Sequence, residues 1–285
     1  MIETIFYILF LSQILLFSVY FPNKIYQRMR YVITHYPCNQ YPKLYPQPIE
    51  NYHRFHGNYR LANWLIAAAG LVTLILSIVF NNKGEFIEPQ VLVWLFFMVQ
   101  FMPVMIIELS EFSQFKMMRT ADRSSVRSAT LSPRSLVNFI AVKWLCVALI
   151  TLLIAIVYSF YLEDFIISIE GSAVFAAGIL LSVNAFFSGL IYWNLYGKKL
   201  NPHQTEADRQ KVITVAIKSL VFISISASIF LMVTLSIKEY QLHSLAPLTM
   251  TIYLQVIALF SLGNSIGSIK VDEINFDLYK EESLL

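Results

Sequence analysis

Apolar residues run along this chain in seven blocks, roughly 2–21, 61–80, 91–109, 134–162, 172–195, 206–237 and 248–269, parted by short polar links. Runs of 18 or more residues with few charges are long enough to cross a bilayer as helices, at about 1.5 Å of rise per residue. The pattern predicts an all-α, polytopic integral membrane bundle of seven transmembrane helices. Block six is the longest, and at roughly 48 Å a helix over it projects beyond the hydrocarbon at its start.

Punctuation sharpens several ends. Pro22 closes the first block, and Gly84 with Pro89 marks a turn between the second and third. Ser132 followed by Pro133 is a favoured N-cap and first-turn pair, which starts the fourth helix there. Thr205 with Asp208 three residues on reads as a cap for the sixth. Pro103 lies inside the third block and predicts a local kink. No basic residue precedes the first block and no small-x-small cleavage pattern follows it, so it is expected to remain as a helix.

The longest weakly apolar stretch is 22–60. Ile25, Met29, Val32, Ile33 and Tyr36 share one helical face opposite Lys24, Gln27, Arg28 and Arg30, the pattern of a short helix lying in the membrane interface. Four prolines between Pro37 and Pro48 then impose extended backbone carrying three Tyr-Pro steps. Helical signals resume at Ile49, with Glu50 and Arg54 spaced for a surface ion pair.

Composition changes little of this. At 57% hydrophobic and 14% charged, the chain is far more apolar than soluble domains, in which about 25% of residues are charged. A single membrane domain with a polar tail, 270–285, accounts for its length. Cys38 and Cys146 fall in different environments and predict no disulfide.

Charge orients the chain. Eighteen of the 21 basic residues fall in 22–60, 110–136, 196–218 and 267–285, two (Lys83 and Lys238) fall in the alternate links, and Lys143 lies within a block. By the positive-inside rule, the N-terminus is outside, the C-terminus inside, and both 22–60 and the tail are cytoplasmic. A bacterial inner (cytoplasmic) membrane is the expected location. The positive balance is consumed by topology, so no nucleic-acid partner follows from it.

In lipid, small residues that allow close backbone approach mark helix interfaces. Gly178, Ser182, Ala185 and Gly189 make one stripe on the fifth helix and point to a central place for it. Asn63, Ala67, Gly70 and Ser77 make a similar face on the second.

Candidate chemistry comes from polar groups at membrane depth. Glu108 and Glu111, near the inner end of the third helix, and Lys143, about two turns into the fourth, are expected near one another, as a responsive ion pair at the mouth of a pathway or as a structural pair. Gln100 and Asn184 are further pathway candidates; with Gln13, Ser224, Ser228, Gln255 and Asn264 they also suit plain interhelical hydrogen bonds. On the cytoplasmic side, Tyr41, Tyr45, His53, Arg54 and His56 form either a docking surface for a protein partner or a segment folded back under the bundle. His35-x-x-Cys38 and Glu50-x-x-His53-x-x-His56 match no zinc spacing, so no metal or other cofactor is expected.

No mid-span histidine suggests haem, and the HExxH, Walker A and GxSxG patterns are missing, so nothing points to an enzyme. Two functions fit: a small transporter or channel-like protein, or a non-enzymatic scaffold or assembly factor binding a protein through 37–60. The expected partners are the bilayer, a cytoplasmic protein and a second copy of the chain.

Overall fold

A computed structural model describes residues 2–80, 88–121, 134–168 and 171–280. Among these, seven helices are long and apolar enough to cross a membrane, and there is no strand: α1 (Ile2–His35), α2 (Ile49–Phe80), α3 (Pro89–Ala121), α4 (Val142–Tyr161), α5 (Ser172–Tyr196), α6 (Glu206–Glu239) and α7 (His243–Ser268). The described residues are helical, and seven such helices are compatible with a multi-pass membrane protein.

α1 does not stop at Pro22. Proline has no N–H to donate, and its ring would press on the carbonyl of Ser18 four residues back. The helix absorbs this by widening into a π turn over Leu16–Tyr20 and continues to His35, so the amphipathic stretch is the end of α1 and not a separate helix. α7 widens in the same way over Leu259–Gly263, and the ring of Phe21, the residue after the first π turn, lies beside Gly263 at the end of the second.

α3 runs a dozen residues past its apolar block because 110–121 contains neither proline nor glycine and finds a packing partner, described below. α4 begins later than the sequence suggests. Ser132 and Pro133 lie outside the described residues, and 134–141 form a short 3-10 turn (Leu136–Asn138) followed by extended Ala141. Burial of Phe139 and Ile140 against α5 and α6 outweighs helical continuation there. The α6 cap forms as its sequence requires: Asp208 N–H donates to Thr205 Oγ1 at 3.0 Å.

Two groups of helices make the bundle. Phe6, Phe10, Ile14, Phe17 and Phe21 of α1 interleave with Leu74 of α2, Leu92, Val93, Phe96 and Phe97 of α3, and Leu254 and Ala258 of α7. Ile140 and Phe139, ahead of α4, pack with Leu195 of α5 and Ile213, Ile217 and Val221 of α6. α6 joins the two groups by packing on α7, where Asn264 Nδ2 donates to Ser219 Oγ at 3.0 Å.

α5 is not the central helix: α1 is the centre of the first group, and α6 links the two groups. Gly178, Ser182, Ala185 and Gly189 all face outward, and a methyl group built on either glycine would meet nothing within 4 Å. On α2, by contrast, Asn63, Ala67, Gly70, Leu74 and Ser77 form the buried face. A Cβ on Gly70 would overlap the Phe96 ring and stand 3.1 Å from Ile14 Cγ1, so this glycine admits the aromatic stripe of α1 and α3.

One end of the bundle gathers most of the basic side chains. Here the end of α1, the Tyr-Pro strip, the end of α3 and residues 271–280 form a layer: Met118, Phe276 and Tyr279 are buried among Val32, Tyr36, Tyr41, Leu44, Phe115, Val271 and Ile274. Tyr36 stacks on Phe276 with centroids 3.9 Å apart. Arg28 reaches from α1 to the last carbonyls of α7, donating to Ile269 at 2.5 Å and also to Ile266, where a cation complements the helix dipole. Asn201 Nδ2 donates to Tyr279 Oη at 2.6 Å, which ties the α5–α6 link into the same layer.

Candidate functional site

At the boundary between this basic layer and the apolar bundle, α1 and α2 part to leave a recess of about 190 Å³. It is lined by Ser18, Val19, Pro22, Asn23, Tyr26, Arg60, Asn63 and Trp64. Ser18 and Val19 belong to the π turn and Pro22 follows it, so the irregularity that proline forces on α1 shapes one wall. On the other wall Arg60 immediately precedes the apolar run of α2, and its guanidinium lies 5.3 Å from the Tyr26 ring centroid, within cation–π range.

The floor of the recess leads inward through side-chain amides. Ser18 is buried, and its Oγ accepts from Gln100 Nε2 at 3.0 Å. Gln100 Oε1 accepts from Gln13 Nε2 at 3.1 Å. Both glutamines are sealed, with 1% and 0% of their surface exposed, and Gln13 Oε1 has no donor. Exchanging oxygen and nitrogen in both amides moves the orphan to the nitrogen of Gln13 without removing it. A polar column therefore runs from Ser18, in the recess that Arg60 also lines, through Gln100 and ends on an unsatisfied Gln13. Phe6, Phe10, Ile14 and Phe96 close it toward the opposite end of the bundle. Beside it, Gln255 Nε2 donates to Leu9 O at 3.0 Å and to Ser12 Oγ at 2.8 Å, binding α7 to α1.

The other expected pathway residues do not join this column. Asn184 sits in the second helix group, where Ser224 Oγ donates to its Oδ1, on the edge of an apolar cleft of about 430 Å³ between α4, α5 and α6. Glu108 and Glu111 are exposed on α3. Lys143 is not two turns deep: because α4 starts at Val142, it stands exposed in the first turn, with its ammonium 5.8 Å from the Trp144 ring centroid. No ion pair links it to Glu108 or Glu111 among the described residues.

The five residues of the docking surface divide. Tyr45 is 7% exposed, and its hydroxyl donates to the Tyr36 carbonyl at 2.6 Å; burial pushes its phenol up to about 12. Tyr41 meets Tyr36 edge-on at 5.2 Å and has the Lys280 ammonium 5.5 Å from its ring centroid. These two belong to the folded layer. His53 and Arg54 are exposed on the first turns of α2, His56 is half-buried, and Glu50 and Arg54 make no ion pair with each other. Among the described residues no three His, Cys, Asp or Glu side chains gather as a metal site would require.

The residues that line the recess were not singled out as a group by sequence. The available signal was Pro22 with Ser18 four residues before it, which marks a local loss of helix regularity, together with Arg60 at the same membrane boundary on the next helix. No protein-family model, curated protein or solved structure matches this chain.

Proposed function

We propose that the chain is a small transporter or channel-like protein of the bacterial inner membrane, with its basic end in the cytoplasm, and that the Ser18–Gln100–Gln13 column is its solute route. The observation that carries this reading is the orphan amide atom of Gln13 at the sealed end of a column that opens at the basic end. A buried polar atom without a partner is costly in an apolar interior, and it gains a partner when a hydrogen-bonding solute arrives. The inner column carries amides and a hydroxyl but no charge, which suits a small neutral solute over an ion. The Phe6, Phe10, Ile14 and Phe96 cluster serves as the closed gate.

Osmotic shrink–swell of proteoliposomes with polyols, sugars and small amides tests the proposal. Permeability to at least one solute should rise at least about tenfold over protein-free vesicles and fall back in correctly folded Gln100→Leu, since one lost hydrogen bond to a bound solute is worth that order. Equal permeability of wild type and variant for every solute would refute the route.

The second reading, a scaffold or assembly factor taking a protein partner through 37–60, draws on the basic-end layer. That layer already uses Tyr41 and Tyr45, so a partner would contact the exposed start of α2 around His53 and Arg54. Crosslinking from position 53 or 54 in intact cells separates this reading from transport.

A further inference from the structure

The recess between α1 and α2 holds donors without acceptors. The Arg60 guanidinium has no carboxylate partner among the described residues, and no acidic side chain lines the recess. The Asn23 amide, the Tyr26 hydroxyl and the Ser18 hydroxyl proton likewise have no acceptor there among the described residues; Ser18 only accepts, from Gln100. One fixed positive charge and three neutral donors around about 190 Å³ describe a receptor for a compact anion with several oxygens.

Its depth identifies the carrier of that anion. The apolar run of α1 ends at Phe21 and that of α2 begins at Leu61, each about 30 Å long, so Pro22 and Arg60 mark the same edge of the hydrocarbon. Trp64, one turn deeper on α2, is 55% exposed, the placement of an interfacial aromatic beside glycerol and upper acyl carbons. The oxyanion concentrated at this depth is the phosphate of a bilayer lipid.

We infer that the recess is a specific binding site for the phosphate headgroup of an anionic phospholipid in the leaflet at the basic end. Arg60 engages the phosphate oxygens, Asn23 and Tyr26 donate from the side, Ser18 donates from below, and Trp64 covers the glycerol. The inference stands on the recess itself and does not need the solute route. A lipid bound there also occupies the mouth of the column, so anionic lipid content becomes a control on access to Ser18 and Gln100.

Native mass spectrometry of the full chain in mild detergent, titrated with phosphatidylglycerol or phosphatidylcholine, tests it. Wild type should retain phosphatidylglycerol in preference to phosphatidylcholine. Arg60→Gln should bind it about tenfold more weakly, the worth of one charge-assisted contact. Asn23→Leu should weaken it too, which keeps the test valid if Arg60→Gln does not fold, and Arg30→Gln, exposed on α1 outside the recess, should bind as wild type. Equal retention by wild type and both recess variants overturns the site. Displacement of the lipid by millimolar inorganic phosphate overturns the lipid assignment and gives the recess to free phosphate. Binding is read without flux, so a failure of the transport proposal leaves this result unaffected.

Discussion

The side-chain amide of Gln13 on α1 donates to that of Gln100 on α3 across 3.1 Å, at a point where neither residue exposes more than 1% of its surface. This pair, extended to Ser18, is the polar heart of an otherwise aromatic interface. Removing one partner strands the other in an apolar interior, whereas removing both leaves no stranded amide. Gln100→Leu should therefore lower stability by about 1–3 kcal/mol, and the double variant Gln13→Leu/Gln100→Leu should cost less than the sum of the two singles, by about 0.5–2 kcal/mol. Reversible unfolding in mixed micelles measures both; strict additivity would show that the amides are not coupled.

Glycines on α2 and α5 should respond in opposite directions. Gly70→Ala drives a methyl group into the Phe96 ring and against Ile14, in a region where Phe10 and Phe96 meet edge-on at 5.6 Å. Overpacking of this kind costs about 1–3 kcal/mol. Gly178→Ala and Gly189→Ala meet nothing and should leave stability unchanged or raise it by up to about 1 kcal/mol through helix propensity. A thermal-shift series over the three variants checks the order, and a loss at Gly178 as large as at Gly70 would contradict the outward placement of the α5 stripe.

These outcomes bear on what sequence can convey. Seven apolar blocks announced seven helices because hydropathy over twenty residues is a local property. The place of each helix in the bundle is not local. A stripe of small residues says only that a close approach is allowed, so α5 read as central although Gly178, Ser182, Ala185 and Gly189 look outward. The spacing Phe6, Phe10, Ile14, Phe17, Phe21 was present in α1, yet any lipid-facing helix can carry such a stripe, and only the notch at Gly70 shows where it packs. Helix ends fared unevenly for the same reason. Thr205 caps α6 through a contact three residues away, while the late start of α4 depends on Phe139 and Ile140 finding cover on α5 and α6, far along the chain. The recess was hidden because it is shared by two helices and shaped by a π turn, which no periodicity reveals.

Alkaline pH should expose the burial of Tyr45. An unfolded phenol titrates near 10, while burial lifts that of Tyr45 to about 12 in the folded protein. The raised value favours the neutral form in the folded state, so the contribution of Tyr45 is fully present below pH 10 and is lost as pH rises through about 12. Spectrophotometric titration should show a late component beyond the main tyrosinate transition, and Tyr45→Phe should lower that component by one phenol. Loss of that phenol from the main transition near pH 10, with the late component unchanged, would mean that Tyr45 is solvated.

The layer at the basic end supplies the remaining prediction. Lys43 lies in the 3-10 turn Pro42–Leu44, between Tyr41 and Tyr45, whose rings and hydroxyls engage Tyr36, while Tyr36 itself is held against Phe276 at 3.9 Å. Cleavage by trypsin needs several residues of extended backbone, so the strip must leave this layer before the bond after Lys43 is cut, and the rate follows the population of that local opening. Phe276→Ala deletes the aromatic floor under Tyr36 and should speed cleavage after Lys43 by about tenfold, for a local loss of about 1.4 kcal/mol, without changing unfolding of the transmembrane helices. Mass-mapped limited proteolysis with parallel circular dichroism reads the two effects separately. Rapid cleavage after Lys43 in the wild type would instead describe a free arm, and would return Tyr41 and Tyr45 to the surface available to a protein partner.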